Sequence, residues 1–260
     1  MKRYILLTLL LVFGSAATVA QGVDSLATRS TGQLWEDGNA AFIAGQYPLS
    51  AATYEAILSK GEHSAKLYYN LGNAYFEQNQ LGKAILNFTR AQNYNPTDED
   101  INYNLALATA RTKDKIEPVP EFFLQGWIRS AGYLLSGDGW SVVALALGLL
   151  VFTCVILWLV SSRMRLRKLG FAGAIVGSIL FVVAIAYAQT ALSRQKAQDS
   201  AIVMNTAAPV KSSPSDGGKD IFVLHEGTSV QVLQTVGTWS EIRIEDGNKG
   251  WIASSAIEQI

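Results

Sequence analysis

The hydrophobic pattern changes period several times along the chain, and each change marks a boundary. A short apolar run, Ile5 to Phe13, follows Lys2 and Arg3 and gives way to the small residues Ser15 to Ala20. Charge, apolar core and small-residue site in that order predict an export signal over residues 1–20, cleaved after Ala20 or Ala17. An uncleaved anchor is the alternative, against which stands a run shorter than the roughly 20 residues a span needs. From residue 31 to 116 apolar positions recur at helical spacing, and a strongly one-sided helix is expected over 121–136. Two unbroken apolar stretches follow, assigned to spans at 140–160 and 170–189, neither holding an acidic or basic side chain. Between them, 161–168 carries Arg163, Arg165, Arg167 and Lys168 with no acid, a pattern that keeps a short loop on the cytoplasmic side. Over 200–260 the period falls to two, with β-rich runs at Ile221–Leu224, Ser229–Leu233, Ser240–Ile244 and Gly250–Ile252 between turn residues. A small all-β barrel is expected there, able to fold on its own.

The helical segment repeats itself. Gly38 and Gly72 stand 34 residues apart, and the same offset places Trp35 on Tyr69 and Tyr103, Tyr47 on Leu81, and Tyr54 on Phe88. That period is the tetratricopeptide one. The second unit resembles the family most fully, with Tyr68, Leu71, Gly72, Tyr75, Ala84, Phe88, Ala91 and Pro96 at its motif positions. In the first unit Asp37 stands where Leu is usual. A third unit starts at Thr97, which with Asp100 is expected to cap its helix, and stops after that one helix near Lys113 to Ile116, before Pro118 and Pro120. The array over 31–116 therefore holds about two and a half units, the solitary last helix covering the unit before it.

In such arrays the first helix of each unit lines the concave face. The register places Trp35, Asn39 and Phe42 there from the first unit, Lys66, Tyr69, Asn73 and Phe76 from the second, and Tyr103 from the third. Rings and amides together suit an extended peptide, whose side chains the rings cover and whose backbone the asparagines bond. Packing against the rest of the protein is the alternative use of the same aromatics. Relatives that clamp a peptide carboxylate carry Asn at positions matching Asn39, Asn70 and Asn73, but Lys where Trp35 and Tyr69 stand here. The missing cations argue against capture of a terminal carboxylate.

Within 121–136, Phe123, Leu124, Trp127, Ile128, Ala131, Leu134 and Leu135 form one apolar side, which predicts a helix lying at the membrane surface, with burial against the spans as the alternative. In the tail, Val210–Pro214, Leu224–Thr228, Trp239, Asp246–Gly247 and Gly250–Ile252 resemble a bacterial SH3-like domain. Trp239 and Trp251 are its ligand candidates, with one of the two expected in the small core. The fold class is thus multidomain: an all-α tetratricopeptide array, two transmembrane helices and an all-β SH3-like barrel.

The whole order of modules resembles the BatE family of the Bat aerotolerance operons, a likeness reinforced by Glu117–Glu121 and Asp138–Trp140. It implies membrane partners bearing von Willebrand A domains and a MoxR-type ATPase system. Site chemistry is sparse. His63 and His225 are the two histidines, Cys154 is the one cysteine, and no phosphate loop, GxSxG elbow, HExxH helix or CxxC pair is present. We therefore expect no catalytic residues, no metal and no cofactor. With 21 basic and 21 acidic residues the chain has no net charge to attract nucleic acid. The expected protein is a non-catalytic inner-membrane adaptor or scaffold with both soluble domains in the periplasm and the short loop in the cytoplasm. A tether whose SH3-like domain binds peptidoglycan is the alternative, and a wall hydrolase is a distant third.

Overall fold

The computed structural model of the protein describes residue 26 and residues 28–117, 123–194 and 199–260. The expected export signal, the prolines Pro118 and Pro120, and the first two residues of the expected surface helix lie outside these.

Five helices form the array: α1 (Thr31–Ile43), α2 (Tyr47–Ser59), α3 (Ala65–Glu77), α4 (Leu81–Tyr94) and α5 (Glu99–Ala110). Local chemistry sets their ends. Ser30 and Gln33 make a reciprocal capping box on α1, and Ser64 caps α3. Gly45 (φ 71°) and Asn79 (φ 58°), one period apart, turn the chain out of the first helix of each unit in the left-handed conformation those residues tolerate. Helix α5, of the third unit, differs from expectation: Asp98, not Thr97, is its N-cap, accepting from the amides of Asp100 and Ile101. A carboxylate has two acceptor oxygens and the full negative charge that a helix N-terminus favours, so it displaces the hydroxyl.

The repeat is visible in the packing. A Cβ on Gly38 would stand 2.6 Å from the Tyr54 ring, and one on Gly72 would stand 2.6 Å from the Phe88 ring. Helices α1 and α2, and then α3 and α4, thus cross through the same glycine-on-ring contact. Tyr54, Leu71, Leu86 and Phe88 fill the core between them.

Beyond α6 (Phe123–Gly132), helices α7 (Gly137–Val160) and α8 (Met164–Arg194) form an antiparallel hairpin. Both are long and apolar enough to cross a membrane, at 24 and 31 residues. Their outward side chains, such as Leu145, Phe152, Val176 and Val182, are exposed. They meet through small residues, since a Cβ on Gly170 would lie 2.7 Å from the Cys154 carbonyl and one on Gly173 would lie 2.9 Å from Cys154 Sγ. The expected loop is shorter than the sequence suggested. Arg165, Arg167 and Lys168 belong to the first two turns of α8, which good helix formers extend until Ser161–Arg163 alone make the turn. The hairpin returns the chain to the side it left, which places the array and the tail together.

The tail is a seven-stranded antiparallel sheet in the order β3-β2-β6-β5-β4-β1-β7. Its strands are β1 (Ser200–Val203), β2 (Ala208–Lys211), β3 (Asp220–Leu224), β4 (Ser229–Val236), β5 (Trp239–Arg243), β6 (Lys249–Ala253) and β7 (Ile257–Gln259). Alternation sends Ser240, Ile242 and Ile252 inward, to pack with Val203, Val210 and Leu224. This barrel does not stand apart as its spacing predicts. Ile202 is buried in the array's core beside Ile85 and Leu86, Met204 and Ile260 pack on the same cluster, and Ile116 of the array packs on the barrel's core.

Candidate functional site

The concave face begins with α1 and α3. Among the eight residues expected there, Asn39, Phe42 and Asn73 converge with Ile43, Tyr54 and Asn70 around a cavity of about 300 Å³. Among the described residues no charged side chain lines it. Trp35, Tyr69 and Phe76 do not line it; they are half-buried, packing on the array's core, with Trp35 5.9 Å from Tyr54 and Tyr69 6.0 Å from Phe88. Lys66 and Tyr103 lie exposed outside the cavity. The guanidinium of Arg111 stands 4.3 Å above the Phe76 ring and covers that end of the row.

Polar bonding in the groove runs in one direction. Tyr54 donates its hydroxyl to Asn39 Oδ1 at 2.7 Å, and Asn70 Nδ2 reaches the same oxygen at 3.3 Å. Burial raises the Tyr54 hydroxyl above its ordinary pKa, against opposing hydrogen bonds with Ser50 and Asn70, so it stays a donor. One repeat later Asn104 Nδ2 donates to Asn73 Oδ1 at 3.1 Å and to the Tyr69 hydroxyl at 2.9 Å. In both asparagines the oxygen is engaged, and among the described residues the amino group has no partner. Asn39 and Asn73 therefore present N–H donors along α1 and α3, one period apart. Asn70 and Asn104, which fix these orientations, stand at the same 34-residue offset, a signal the sequence already contains.

Both barrel candidates lie on the outer face of the sheet. Trp239 and Trp251 are half-buried, Trp251 is paired across from Glu241, and the outward parity of β5 sets Trp239 beside them. The expectation that one of them fills the core is corrected: the core consists of smaller aliphatic residues at the inward positions.

The junction between array and barrel contains residues to which the sequence assigns no role. The Asp114 carboxylate accepts from the His225 backbone amide at 2.7 Å, from His225 Nδ1 at 2.6 Å and from Thr228 Oγ1 at 2.7 Å. Lys113 Nζ lies 2.8 Å from His225 Nε2. Desolvation opposes ionisation of Asp114, but the bonds from Thr228 and His225, with the His225 charge, outweigh it and hold the carboxyl below its usual range. Glu226 Oε1 accepts from the amide of Gly82 at 2.8 Å. Helix α4 has no side-chain cap of its own, so the barrel supplies one. His63, by contrast, stacks on Tyr68 and bonds its hydroxyl at 2.8 Å. Among the described residues no three His, Cys, Asp or Glu side chains are grouped to hold a metal.

Residues 206–258 match the bacterial SH3 domain family, and residues 72–112 match the TPR repeat family. No curated protein matches the chain. Both matched modules are of kinds that bind, either protein or cell wall, and the two long apolar helices are compatible with a membrane protein.

Proposed function

We propose that the protein is a non-catalytic adaptor of the bacterial inner membrane, with array and barrel in the periplasm and Ser161–Arg163 on the cytoplasmic side. The groove takes an extended, uncharged peptide segment of a membrane partner. The paired amino groups of Asn39 and Asn73 carry this reading: donors spaced along one face suit backbone carbonyls, and the cavity they line with Phe42 and Ile43 takes a side chain. By resemblance to the BatE family, the partners are membrane proteins with von Willebrand A domains working with a MoxR-type ATPase in a Bat-type aerotolerance or stress complex. The lone basic cluster at the α7–α8 turn supports the orientation. A photo-crosslinking residue in place of Ile43, which is 87% exposed at the cavity rim, tests the groove. Crosslinks to a von Willebrand A membrane protein that vanish in an N39D/N73D background, which keeps the internal acceptors, are expected; crosslinks that persist there overturn the groove.

A second reading is favoured by the outward Trp239 and Trp251: a tether in which the barrel binds peptidoglycan. Retention of the detergent-solubilised protein on purified sacculi, lost in W239A/W251A, would support it over the adaptor.

A further inference from the structure

Two cavities of opposite character meet where α6 crosses the outer end of α8. One, of about 700 Å³, is lined by amides and hydroxyls including Gln92, Asn93, Gln189 and Ser193, with Asp199 at its edge. The other, of about 580 Å³, is walled by Ile128, Val183, Ala186 and Tyr187, with Arg129 beside them. Tyr133, Ala186, Thr190 and Arg194 line both, so the two are one continuous amphipathic space.

Arg194 is held at the join. Its Nη2 donates to the Gly132 carbonyl at 2.9 Å, and its guanidinium lies 4.0 Å from the centre of the Tyr133 ring. Aromatic side chains surround the same level: Trp140 stacks on Tyr187 at 4.8 Å, and Tyr187 donates its hydroxyl to the Ile128 carbonyl at 3.2 Å. Stacked Trp and Tyr at the end of an apolar hairpin mark the headgroup layer. A cation at that depth, with an apolar slot on the membrane side and hydroxyl-bonding groups on the other, matches the order of parts in a phospholipid.

We propose that this space binds one anionic phospholipid of the phosphatidylglycerol type. An acyl chain lies against Ile128, Val183 and Ala186, the phosphate sits on Arg194 and Arg129, and the headgroup hydroxyls enter the chamber of amides. A headgroup without an ammonium follows from Arg194 and Arg129, which line the space and would repel one. The bound lipid ties α6 to α8 at the surface. Because Asn93 of α4 bonds the Arg194 carbonyl at 3.4 Å, it also fixes the array's position above the membrane.

The proposal rests on the membrane reading of α7 and α8, and the test separates the two. Full-length protein in detergent is titrated by native mass spectrometry with phosphatidylglycerol, phosphatidylethanolamine, phosphatidylcholine and deacylated glycerophosphoglycerol. One retained phosphatidylglycerol is expected, with at least about tenfold weaker retention in R129Q/R194Q, from the loss of charge-assisted bonds. A186W, which fills the slot and keeps both arginines, should weaken retention similarly at unchanged helicity. Wild-type retention in both variants, preference for phosphatidylethanolamine, or equal binding of the deacylated headgroup overturns the site. A chain extracted from membranes by carbonate overturns the spans and the site together; one that stays in the membrane without this lipid preference overturns the site alone.

Discussion

Asp114, just beyond the last helix of the array, receives the backbone amide and the imidazole Nδ1 of His225 on the barrel at 2.7 and 2.6 Å. The two residues are 111 positions apart, with both long apolar helices between them, so the contact closes the chain on itself. Around it the fit is close: a Cβ on Gly227, already at φ 89°, would stand 2.7 Å from Thr112 and 2.8 Å from Ile85. The barrel's turn and the array's convex side are therefore shaped for each other.

D114N keeps the size of the side chain but replaces a charged acceptor by an amide that can accept through one oxygen only. We expect a loss of about 1–3 kcal/mol, the usual cost of leaving charged or buried hydrogen-bond partners unsatisfied. With Trp35, Trp127, Trp140 and Trp158 replaced by Phe, so that Trp239 and Trp251 alone report, the otherwise wild-type protein should unfold with coincident helical circular dichroism and fluorescence transitions. In D114N the two should separate; coincident and unshifted transitions would show that the junction contributes nothing.

Acid should act on the same contact. The Asp114 carboxyl is held below its ordinary value in the folded protein. Its contribution is therefore present above the unfolded value of roughly 3.9 and is lost as pH falls through the lower folded value. Wild-type stability measured by denaturant from neutral pH to about pH 3 should fall more steeply than that of D114N. Parallel curves would count against the assignment.

Much of this architecture was legible because it rests on periods. The 34-residue offset marks Gly38 and Gly72 together with Tyr54 and Phe88, and the structure stacks those same glycines on those same rings. The junction was not legible, because Asp114, His225 and Glu226 contact across distant segments and carry no local pattern. His225 appeared without a role since neither its neighbours nor its spacing point to Asp114. The groove fell in between: Asn39 and Asn73 line one cavity, while Tyr69 and Phe76, expected on the same face, pack on Phe88.

Within the groove, N39D/N73D removes amino groups that have no partner among the described residues and keeps the oxygens that accept from Tyr54, Asn70 and Asn104. Melting should move little, by about 1 kcal/mol or less, while partner crosslinking through position 43 is lost. G72L is the contrast, since a large side chain would have to enter the space of the Phe88 ring 2.6 Å away; overpacking of this kind costs at least about 1–3 kcal/mol. If N39D/N73D unfolds the array as badly as G72L, the two amino groups are structural and the groove assignment is wrong.

Orientation has a separate test. Alkaline phosphatase requires export to form its disulfides, so a fusion after Ser162, in the α7–α8 turn, should be inactive and one after Ile260 active. Activity at Ser162 would invert the arrangement, placing array and barrel in the cytoplasm.

Removing residues 201–260 should damage the array as well as delete the barrel. The change uncovers Ile85, takes Ile202 and Met204 out of the array's core, and leaves the amide of Gly82 at the start of α4 without the Glu226 carboxylate. Exposing one aliphatic side chain costs about 1.5–3 kcal/mol and losing a cap about 0.5–2 kcal/mol, so the truncated array should be weakened by at least about 2 kcal/mol. Helices α7 and α8 precede the cut, and membrane insertion should persist. The measurement is protease resistance of the array in membrane fractions of the two proteins. An array equally resistant in both would mean that the shared core and the Glu226 cap add no stability, and that the modules act as independent beads.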